Sequence, residues 1–436
     1  MCPSSSPRSS DGSALPLGAA PAGRVPVYAP LRHRDFRLMW TGLLISNTGS
    51  WMQFVALGYL VDRLTRDPLY LGLLAAVQAA ARILAAPVGG AMADRMDRRR
   101  LLLTTNLVLM ASAALLAALT AAGTIRLWQI LALAALNSLV QAFDMPARHS
   151  LVPLLVEERE VLTAVTLNSV AFNGSAVFGP SLGGVVISAV GEAGCFVLNA
   201  VSFLAVLAAV RAMAFPPHPA AAGRLADDMA EGVRLVREHR RLAVLLAAVA
   251  VVSFFGRPYV RLMPAFAREQ LRVGATALGL LQAAPGVGTV LAALLVGRLA
   301  AGGTGALLAS AALAFGFLVT VFGLCSTLPA ALGVLVLVGA AQALALSAAN
   351  ALVQLATPPE ARGRIMGLYS MVAFGGFALG SLPVGALASA IGVGPALSAG
   401  GVAVMLATLA LAPRLRAQSA RSAQSAQSTR SSGFSD

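Results

Sequence analysis

The chain has 436 residues, of which 58% are hydrophobic and only 11% are charged. Soluble domains carry about 25% charged residues, so a water-soluble fold of this size could not bury so much apolar surface. The net charge of +14 does not indicate a nucleic-acid partner, because the 32 basic residues are all arginines that stand in short clusters between apolar runs. The composition therefore predicts an all-α polytopic membrane protein embedded in a lipid bilayer.

Twelve apolar runs are long enough to cross a bilayer, which requires about 20 residues per helix. In chain order the predicted spans are 38–62, 69–93, 101–122, 127–145, 162–190, 193–213, 242–266, 276–300, 305–325, 329–356, 366–390 and 394–412. The predicted organisation is a disordered cytoplasmic tail at 1–31, a six-helix bundle at 32–213, a cytoplasmic central loop with an amphipathic helix at 214–241, a second six-helix bundle at 242–413 and a disordered cytoplasmic tail at 414–436.

The arginines predict the orientation of these spans. If both termini lie in the cytoplasm, 24 arginines fall on the cytoplasmic side and five on the opposite side. Positive residues concentrate in cytoplasmic loops, so this arrangement is favoured. We therefore expect a multi-pass protein of the inner (plasma) membrane with both termini in the cytoplasm. The remaining three arginines lie inside spans: Arg82, Arg257 and Arg261.

The two sets of six spans resemble copies of one unit. LVQAFDMPAR (139–148) is similar to LVQLATPPEAR (352–362), LGLLA at 71 is similar to LGLLQ at 278, and SLGGVVISAVG at 181 is similar to SLPVGALASAIG at 381. The matches occur in the same order and at a nearly constant offset. This pattern favours a parallel duplication about an axis along the membrane normal, which is one architecture of secondary transporters.

A charged turn, GAMADRMDRRR at 90–100, closes the second predicted span. Gly90 allows close helix packing, and Asp94, one turn later, can face the free N–H groups at the start of another helix. A simpler interpretation treats the cluster as topology-setting positive charge, but that accounts only for the arginines.

The same turn resembles the signature G-x-x-x-D-R-x-G-R-R of the major facilitator superfamily. Asp97 stands where the signature has its second glycine, and the matching positions are Gly90, Asp94, Arg95, Arg98 and Arg99. The resemblance covers 32–412. It implies two pseudo-symmetric six-helix bundles and a conformational latch that closes the cytoplasmic side, with Asp94 docking near Arg364–Ile365 when the protein opens outward.

A second motif lies in the fifth predicted span, where FGPSLGG contains G-P-x-x-G-G. It resembles the antiporter motif of drug exporters in the superfamily, on Gly179, Pro180, Gly183 and Gly184. The stretches 142–173 and 262–288 resemble the branch of enterobactin-type siderophore exporters and macrolide-efflux proteins. These resemblances imply proton-driven export.

The few carboxylates at span ends are candidates for proton coupling, because a partly buried carboxylate can titrate as its access changes. Asp144 is the first candidate, followed by Asp94 and Asp62. An alternative role for Asp144 is a helix-terminal ion pair with Arg148, four residues later.

The charges inside spans are candidates for substrate contact, since a charge in the membrane core costs about 2.5–3.5 kcal/mol. Arg257 and Arg261 could bind an anionic group of a substrate, pair with Asp62, or extend to the outer headgroups; Arg82 lies within the second span. Neutral polar or aromatic residues complete the predicted cavity: Asn47, Trp51, Gln53, Asn137, Gln141, Tyr259, Gln282, Gln342 and Asn350.

Together these features predict a secondary transporter that exports amphiphilic small molecules such as drug-like metabolites, macrolides or siderophores by alternating access. The alternatives are an importer or lysolipid flippase of the same fold, a transport-dead scaffold, and a membrane enzyme. The sequence shows no metal-ligand cluster or nucleophile–base pair, so we expect no catalytic residue, metal or cofactor. The expected driving force is a proton gradient, and the expected partners are the bilayer and a small-molecule substrate of a monomer.

Overall fold

A computed structural model of the chain describes the backbone of residues 26–215, 234–299, 304–358 and 361–432. Within these ranges it describes side chains except those of 86–95, 149, 295–299 and 415–432.

Long α-helices form the described fold. They are α1 (Arg34–Thr65), α2 (Pro68–Arg95), α3 (Arg98–Ala121), α4 (Leu127–Leu151), α5 (161–190), α6 (192–212), α7 (Arg240–Leu271), α8 (Ala275–Leu299), α9 (Thr304–Leu324), α10 (Leu328–Ala356), α11 (Arg362–Ile391) and α12 (Val393–Ser432). Short 3-10 helices occupy Ala29–Arg32, Val152–Leu154 and Glu158–Glu160. Two π-helical turns, Val252–Gly256 and Ala267–Leu271, interrupt α7. The prediction of an all-α polytopic membrane fold is confirmed.

The number of crossings is consistent with the predicted twelve. By length and hydropathy, 10 described segments can span a membrane. One of them, Glu158–Ala212, has 55 residues and is broken at Gly191, so it can cross twice. Helix α1 has 32 residues, more than the roughly 20 that a bilayer core requires.

The last helix is longer than the sequence predicts. The range 414–436 is predicted to be disordered, whereas α12 is helical up to Ser432. Alanine, arginine and glutamine, which are frequent in this stretch, are good helix formers, and adding residues to an existing helix requires no new nucleation.

The backbone repeats itself at the offsets seen in the sequence. Arg66 (φ 51°) ends α1 and Arg272 (φ 55°), 206 positions later, ends α7; left-handed residues other than glycine are uncommon. Gly191 (φ 78°) and Gly392 (φ 89°), 201 positions apart, separate α5 from α6 and α11 from α12. Equivalent breaks in the two halves support the predicted duplication.

Two glycine crossings join the halves. A Cβ added at Gly385 of α11 would lie 2.9 Å from the Pro68 carbonyl oxygen and 3.3 Å from Cα of Gly72 in α2. A Cβ at Gly184 of α5 would lie 3.0 Å from Cα of Gly279 in α8. Gly72 and Gly279 occupy the same place in the LGLL repeats, so the α2–α11 and α5–α8 crossings are symmetry-equivalent. Only glycine allows backbones to approach this closely.

Both crossings lie near one membrane surface. We call the side that carries the α1–α2 and α7–α8 turns the distal face, and the opposite side, where α1 begins, the terminal face. Along α11, Gly385 packs against α2. A Cβ added at Gly375 would lie 3.9 Å from Cδ1 of Ile83 in α2, and a Cβ added at Gly367 meets no described atom within 4 Å. Gly367 and Gly385 share one helix face, because 18 residues make about five turns. Among the described side chains, the close contacts between α2 and α11 therefore lie towards the distal face.

The hydrophobic core has the same asymmetry. The largest cluster is continuous across both halves and includes Val55 and Leu71 of the first half with Leu262 and Leu278 of the second. Near the terminal face, a separate cluster around Phe36 draws its described buried residues from the first half only. Among the described residues, the core is thus shared between the halves towards the distal face and belongs to one half around Phe36.

We predict that Gly184→Val weakens distal closure. The added Cβ would lie 2.5 Å from the Ala275 carbonyl oxygen, a backbone atom that cannot rotate away, and overpacking of this kind costs about 1–3 kcal/mol. Spin labels at Leu64→Cys and Arg272→Cys, in a background with the native cysteines replaced by serine, report the width of the distal face. We expect a longer or broader distance distribution than in the parent.

The matched control is Gly174→Val in the same helix, where an added Cβ meets no described atom within 4 Å. Equal distance distributions for the two variants would contradict the assignment of Gly184 to distal closure.

Candidate functional site

A buried ion pair connects the two halves at the distal face. Arg268 of α7 donates from Nε to Oδ2 of Asp62 in α1 (2.7 Å) and from Nη2 to Oδ1 (2.9 Å). Asp62 is only 4% exposed, and Arg268 also contacts Glu269 at 2.9 Å. The bidentate geometry is the strongest form of arginine–carboxylate pairing. The expectation that Arg257 or Arg261 pairs with Asp62 is wrong, since both lie further from the distal end of α7.

The duplication explains this partner. Asp62 and Arg268 are 206 positions apart, so they hold equivalent positions at the ends of α1 and α7. A two-fold axis between the halves brings equivalent helix ends together, and one copy carries the acid and the other the base. A second ion pair, Arg63 with Glu192 (3.0 Å), stays within the first half.

Deeper in the protein, three arginines from both halves approach one another. Arg261 donates from Nη2 to Oε1 of Gln78 in α2 (2.6 Å), across the interface between the halves. Arg82, one turn after Gln78, donates from Nη2 to Oε1 of Gln141 in α4 (3.2 Å). Arg257, one turn before Arg261, donates from Nη1 to the Ala373 carbonyl oxygen (3.0 Å). All three hydrogen-bond acceptors are uncharged.

Aromatic rings cover these guanidinium groups. The Arg261 guanidinium carbon lies 4.4 Å from the ring centroid of Phe54 in α1. Phe377 of α11 lies 4.9 Å from the Arg257 guanidinium and 5.9 Å from that of Arg261, and Phe374 lies 5.8 Å from Arg257. Cation–π contacts of this kind stabilise a cation by about 0.5–2 kcal/mol. We call Arg82, Arg257, Arg261, Phe54 and Phe377 the arginine layer.

The arginine layer lies beneath the distal ion pair. Seven residues separate Arg261 from Arg268, which corresponds to about 10 Å along a helix. Arg82 is exposed, and a Cβ added at Gly375 of α11 at this level would lie 3.9 Å from Ile83 of α2, compared with 2.9–3.3 Å at Gly385 near the distal face. The layer therefore lies below the closed distal face, at the depth where the halves begin to separate.

Sequence reasoning selected the three arginines but missed Gln78, Phe54 and Phe377. Gln78 precedes Arg82 by four residues, so the two lie on one face of α2, and this spacing in the sequence could have indicated Gln78. The two phenylalanines had none, because they belong to α1 and α11 and meet α7 only in the folded protein.

Other predicted cavity residues fall into separate groups. The Tyr259 hydroxyl donates to Oε1 of Gln342 (3.3 Å), which links α7 and α10, and Asn350 accepts from Gln354. Gln53 accepts from Asn199 of α6 (2.7 Å) and is buried within the first half.

Asn47, Trp51 and Gln282 are half-buried, and Trp51 packs edge-on against Phe54 and Phe172. Asn137 is 6% exposed, and its Oδ1 has no described partner.

The G-P-x-x-G-G motif places α5 between α1 and α8. Added Cβ atoms at Gly179 and Gly183 would lie 2.5 Å from Cβ of Trp51 and 3.2 Å from Cα of Met52, both in α1. Gly184 faces α8 instead, and a Cβ on Gly279 would lie 2.5 Å from the Pro180 carbonyl oxygen. The motif thus packs α5 within its own half and against the other half.

A buried polar cluster surrounds Asp144 in the first half. Its Oδ1 accepts hydrogen bonds from Thr105 (2.8 Å) and Asn106 (2.9 Å) of α3. Its Oδ2 forms an ion pair with Arg148 Nε, and Arg148 Nη2 also donates to Asn106 (2.8 Å). Asp144 is 4% exposed. The structure therefore contains the helix-terminal pair that was the alternative role for Asp144; a titrating role stays a prediction.

The charged turn is described only in part. The side chains of Gly90, Asp94 and Arg95 lie outside the described residues. Asp97, the departure from the signature, caps α3 by accepting from the Arg100 backbone N–H (2.8 Å), as aspartate commonly does at helix starts. Arg99 donates to the Arg211 carbonyl oxygen at the end of α6 (2.7 Å).

The remaining member of the charged turn, Arg98, is half-buried at the start of α3.

The fold and the site between two pseudo-symmetric halves define a transporter of the major facilitator superfamily. The sequence model of the family described as transmembrane secretion effectors matches residues 25–433, and the chain belongs to this family.

The chain is similar to several curated proteins. It is 24% identical to the enterobactin exporter EntS of Shigella boydii over 86% of this chain and 90% of that protein. It is 30% identical to the uncharacterized MFS-type transporter YfiS of Bacillus subtilis over 36% of this chain and 37% of YfiS. It is 23% identical to macrolide efflux protein A of Streptococcus pyogenes over 52% of this chain and 58% of that protein. The last two alignments therefore span less than two thirds of the relative.

Solved structures share the fold. The nucleoside transporter NupG superposes with a TM-score of 0.70 at 12% identity, covering 88% of this chain and 98% of NupG. A bacterial homolog of the human lysosomal transporter Spinster, in an inward-facing and unoccupied conformation, has a TM-score of 0.68 at 16% identity, covering 89% and 96% of the two chains.

We predict that breaking the Asp62–Arg268 pair opens the distal face. Arg268→Gln leaves the buried Asp62 carboxylate unpaired, which costs about 3–5 kcal/mol, and Asp62→Asn removes the only carboxylate among the described residues that holds Arg268 to the other half, so both variants should lengthen the Leu64→Cys to Arg272→Cys spin-label distance. The exchange Asp62→Arg with Arg268→Asp should restore part of the short-distance population.

Arg63→Gln is the control, because its partner Glu192 belongs to the same half. If the single variants keep the parent distance, or if Arg63→Gln lengthens it equally, the ion pair does not hold the distal face closed.

Proposed function

We propose that the protein is a proton-coupled exporter of amphiphilic small molecules that works as a monomer by alternating access and without a cofactor. In this proposal the protein lies in the inner membrane with both termini on the cytoplasmic side. The terminal face is then cytoplasmic, and the structure corresponds to the inward-open state. The observation that carries the proposal is the closure of the distal face by two glycine crossings and one ion pair above a site that opens on the other side.

Export is favoured over import by the packing of α5. Gly184 of the antiporter-type motif lies in a cross-half contact, so the motif acts directly on the interface that must open for release. EntS and macrolide efflux protein A are named as exporters, and both are similar to this chain. The proposed substrates are drug-like metabolites, macrolides or siderophores, and no covalent chemistry is required.

Proton coupling is supported by the Asp144 cluster. Protonation of Asp144 would remove the negative charge that holds Arg148 and would weaken the hydrogen bonds from Thr105 and Asn106 of α3, which would then go to a neutral acceptor. Because the cluster links α3 to α4, a proton there would change the packing of helices within the first half.

The direct test is transport in oriented vesicles. Inverted vesicles should take up enterobactin or erythromycin when their interior is acidic, and right-side-out vesicles should not. Uptake only by right-side-out vesicles would support an importer. Movement of lysophospholipid between leaflets without uptake of either compound would support a flippase.

The proposed latch predicts that Asp94→Asn abolishes export. Loss of the charge weakens closure of the cytoplasmic side, so resistance of an efflux-deficient host should fall to that of the empty vector while the protein stays in the membrane. Asp97→Asn is the matched control in the same turn. Asparagine caps helices as well as aspartate does, so this variant should keep resistance. Full resistance with Asp94→Asn would disprove the latch.

Two variants separate the roles of Asp144. If Asp144 only balances Arg148, the double variant Asp144→Asn with Arg148→Gln removes both charges and should restore the gradient-driven transport that Asp144→Asn loses. If Asp144 carries the proton, neither variant should respond to a pH gradient, although both should still exchange labelled for unlabelled substrate. We expect the second result.

A further inference from the structure

The arginine layer carries more charge than its surroundings balance. Among the described residues, no acidic side chain forms an ion pair with Arg82, Arg257 or Arg261. Arginine stays charged at every physiological pH, and an unpaired charge in the membrane core costs several kcal/mol. A cluster of three cations within the membrane-spanning helices therefore requires an anion or a function that offsets its cost.

Part of the hydrogen-bonding capacity of this layer is also unused. Nε of Arg257 and Nε of Arg261 are buried, and neither has a partner among the described residues. Each guanidinium carries five N–H donors, whereas the hydrogen bonds to described residues use one donor on each of these two arginines. Buried donors are normally satisfied, so these two point to a ligand.

The geometry points to an organic anion, and we propose that the arginine layer binds the carboxylate of an amphiphilic substrate, with the apolar body of the substrate against Phe54 and Phe377. This inference rests on the proposed function and specifies its substrate class. A guanidinium binds a planar carboxylate through two parallel hydrogen bonds, which a cation or a neutral ester cannot accept in the same way. The flanking rings add an apolar, aromatic surface beside the charge.

The position of the layer suits a substrate that must contact both halves. Phe54 and Arg82 belong to the first half, whereas Arg257, Arg261 and Phe377 belong to the second. An anion held between Arg82 and Arg261 would bridge the halves at the depth where they diverge. Protonated amines, in contrast, would meet three like charges, so among the proposed substrates the site favours anionic amphiphiles, such as carboxylate siderophores, over protonated macrolides.

The experiment uses the full-length protein in phosphatidylcholine nanodiscs with two xanthene dyes of similar shape. Fluorescein carries a free carboxylate, whereas rhodamine 6G is a cationic ester. Fluorescence anisotropy should show saturable fluorescein binding with a dissociation constant below about 1 mM, and binding of rhodamine 6G or of fluorescein methyl ester at least about tenfold weaker. This comparison needs no substitution, so it does not depend on the folding of a variant.

Variants then locate the site. Arg257→Gln and Arg261→Gln should each weaken fluorescein binding about tenfold, the loss expected for one charge-assisted hydrogen bond. Arg261→Lys should recover part of the binding, because the charge remains and the planar fork is lost. Arg272→Gln, an exposed arginine of the distal turn, removes the same charge and should bind fluorescein as the parent does.

Three results would overturn the inference: no saturable fluorescein binding by the parent, equal or tighter binding of rhodamine 6G, or parent-like binding by both Arg257→Gln and Arg261→Gln. A fourth arm replaces the lipid with phosphatidylglycerol at high salt, which screens the repulsion between the anionic dye and the anionic bilayer surface. If that change abolishes fluorescein binding, an anionic lipid headgroup occupies the layer and the substrate assignment is wrong.

The result of the fluorescein-binding experiment does not depend on the direction of transport. Fluorescein binding without uptake by inverted vesicles would remove the exporter and keep the anion site. Export of cationic compounds alone, with no fluorescein binding, would remove the anion site and keep the exporter.

Discussion

Close contact between glycine backbones at the distal face is the constraint on which the rest of this structure depends. Lipid offers apolar side chains as good an environment as a neighbouring helix does, so helices in a membrane associate through close packing. At the α2–α11 and α5–α8 crossings, added Cβ atoms would lie only 3.0–3.3 Å from a glycine Cα in the opposite helix. These two contacts fix the halves at one end and leave the other end free to separate.

The polar contacts follow from that geometry. Because symmetry-equivalent glycines form both crossings, the axis between the halves also brings together the ends of α1 and α7, where Asp62 meets Arg268. An ion pair in this position closes the distal face, but its strength is limited, since desolvation offsets much of the attraction between buried charges. The glycine contacts bring the helices together. The ion pair fixes which helix ends meet at the distal face, but it adds too little stability to prevent the face from opening.

The sequence predicts local features well and cross-half contacts poorly. Most span limits and the Gly191 and Gly392 breaks were predictable, because apolar length and repeated motifs encode them directly; the end of α12 was not, because its final residues are polar. The Asp144–Arg148 pair was foreseen as an alternative, since four residues make one helical turn. Arg268 as the partner of Asp62, and Phe377 beside Arg257, were not, because they depend on how one half packs against the other. Helix periodicity describes one helix at a time and has no information on that packing.

Of the three hydrogen bonds that the arginines of the arginine layer donate, two lie within one half and one crosses between the halves. This arrangement links the site to opening of the distal face. Arg82 bonds to Gln141 within the first half, and Arg257 bonds to Ala373 within the second. Only the Arg261–Gln78 bond crosses between them, so it must break when the distal face opens. Arg82 would then move away from the other two arginines with its own half. An anion that all three arginines hold, as proposed above, would lose part of its coordination at that step, and its affinity would fall when the distal face opens.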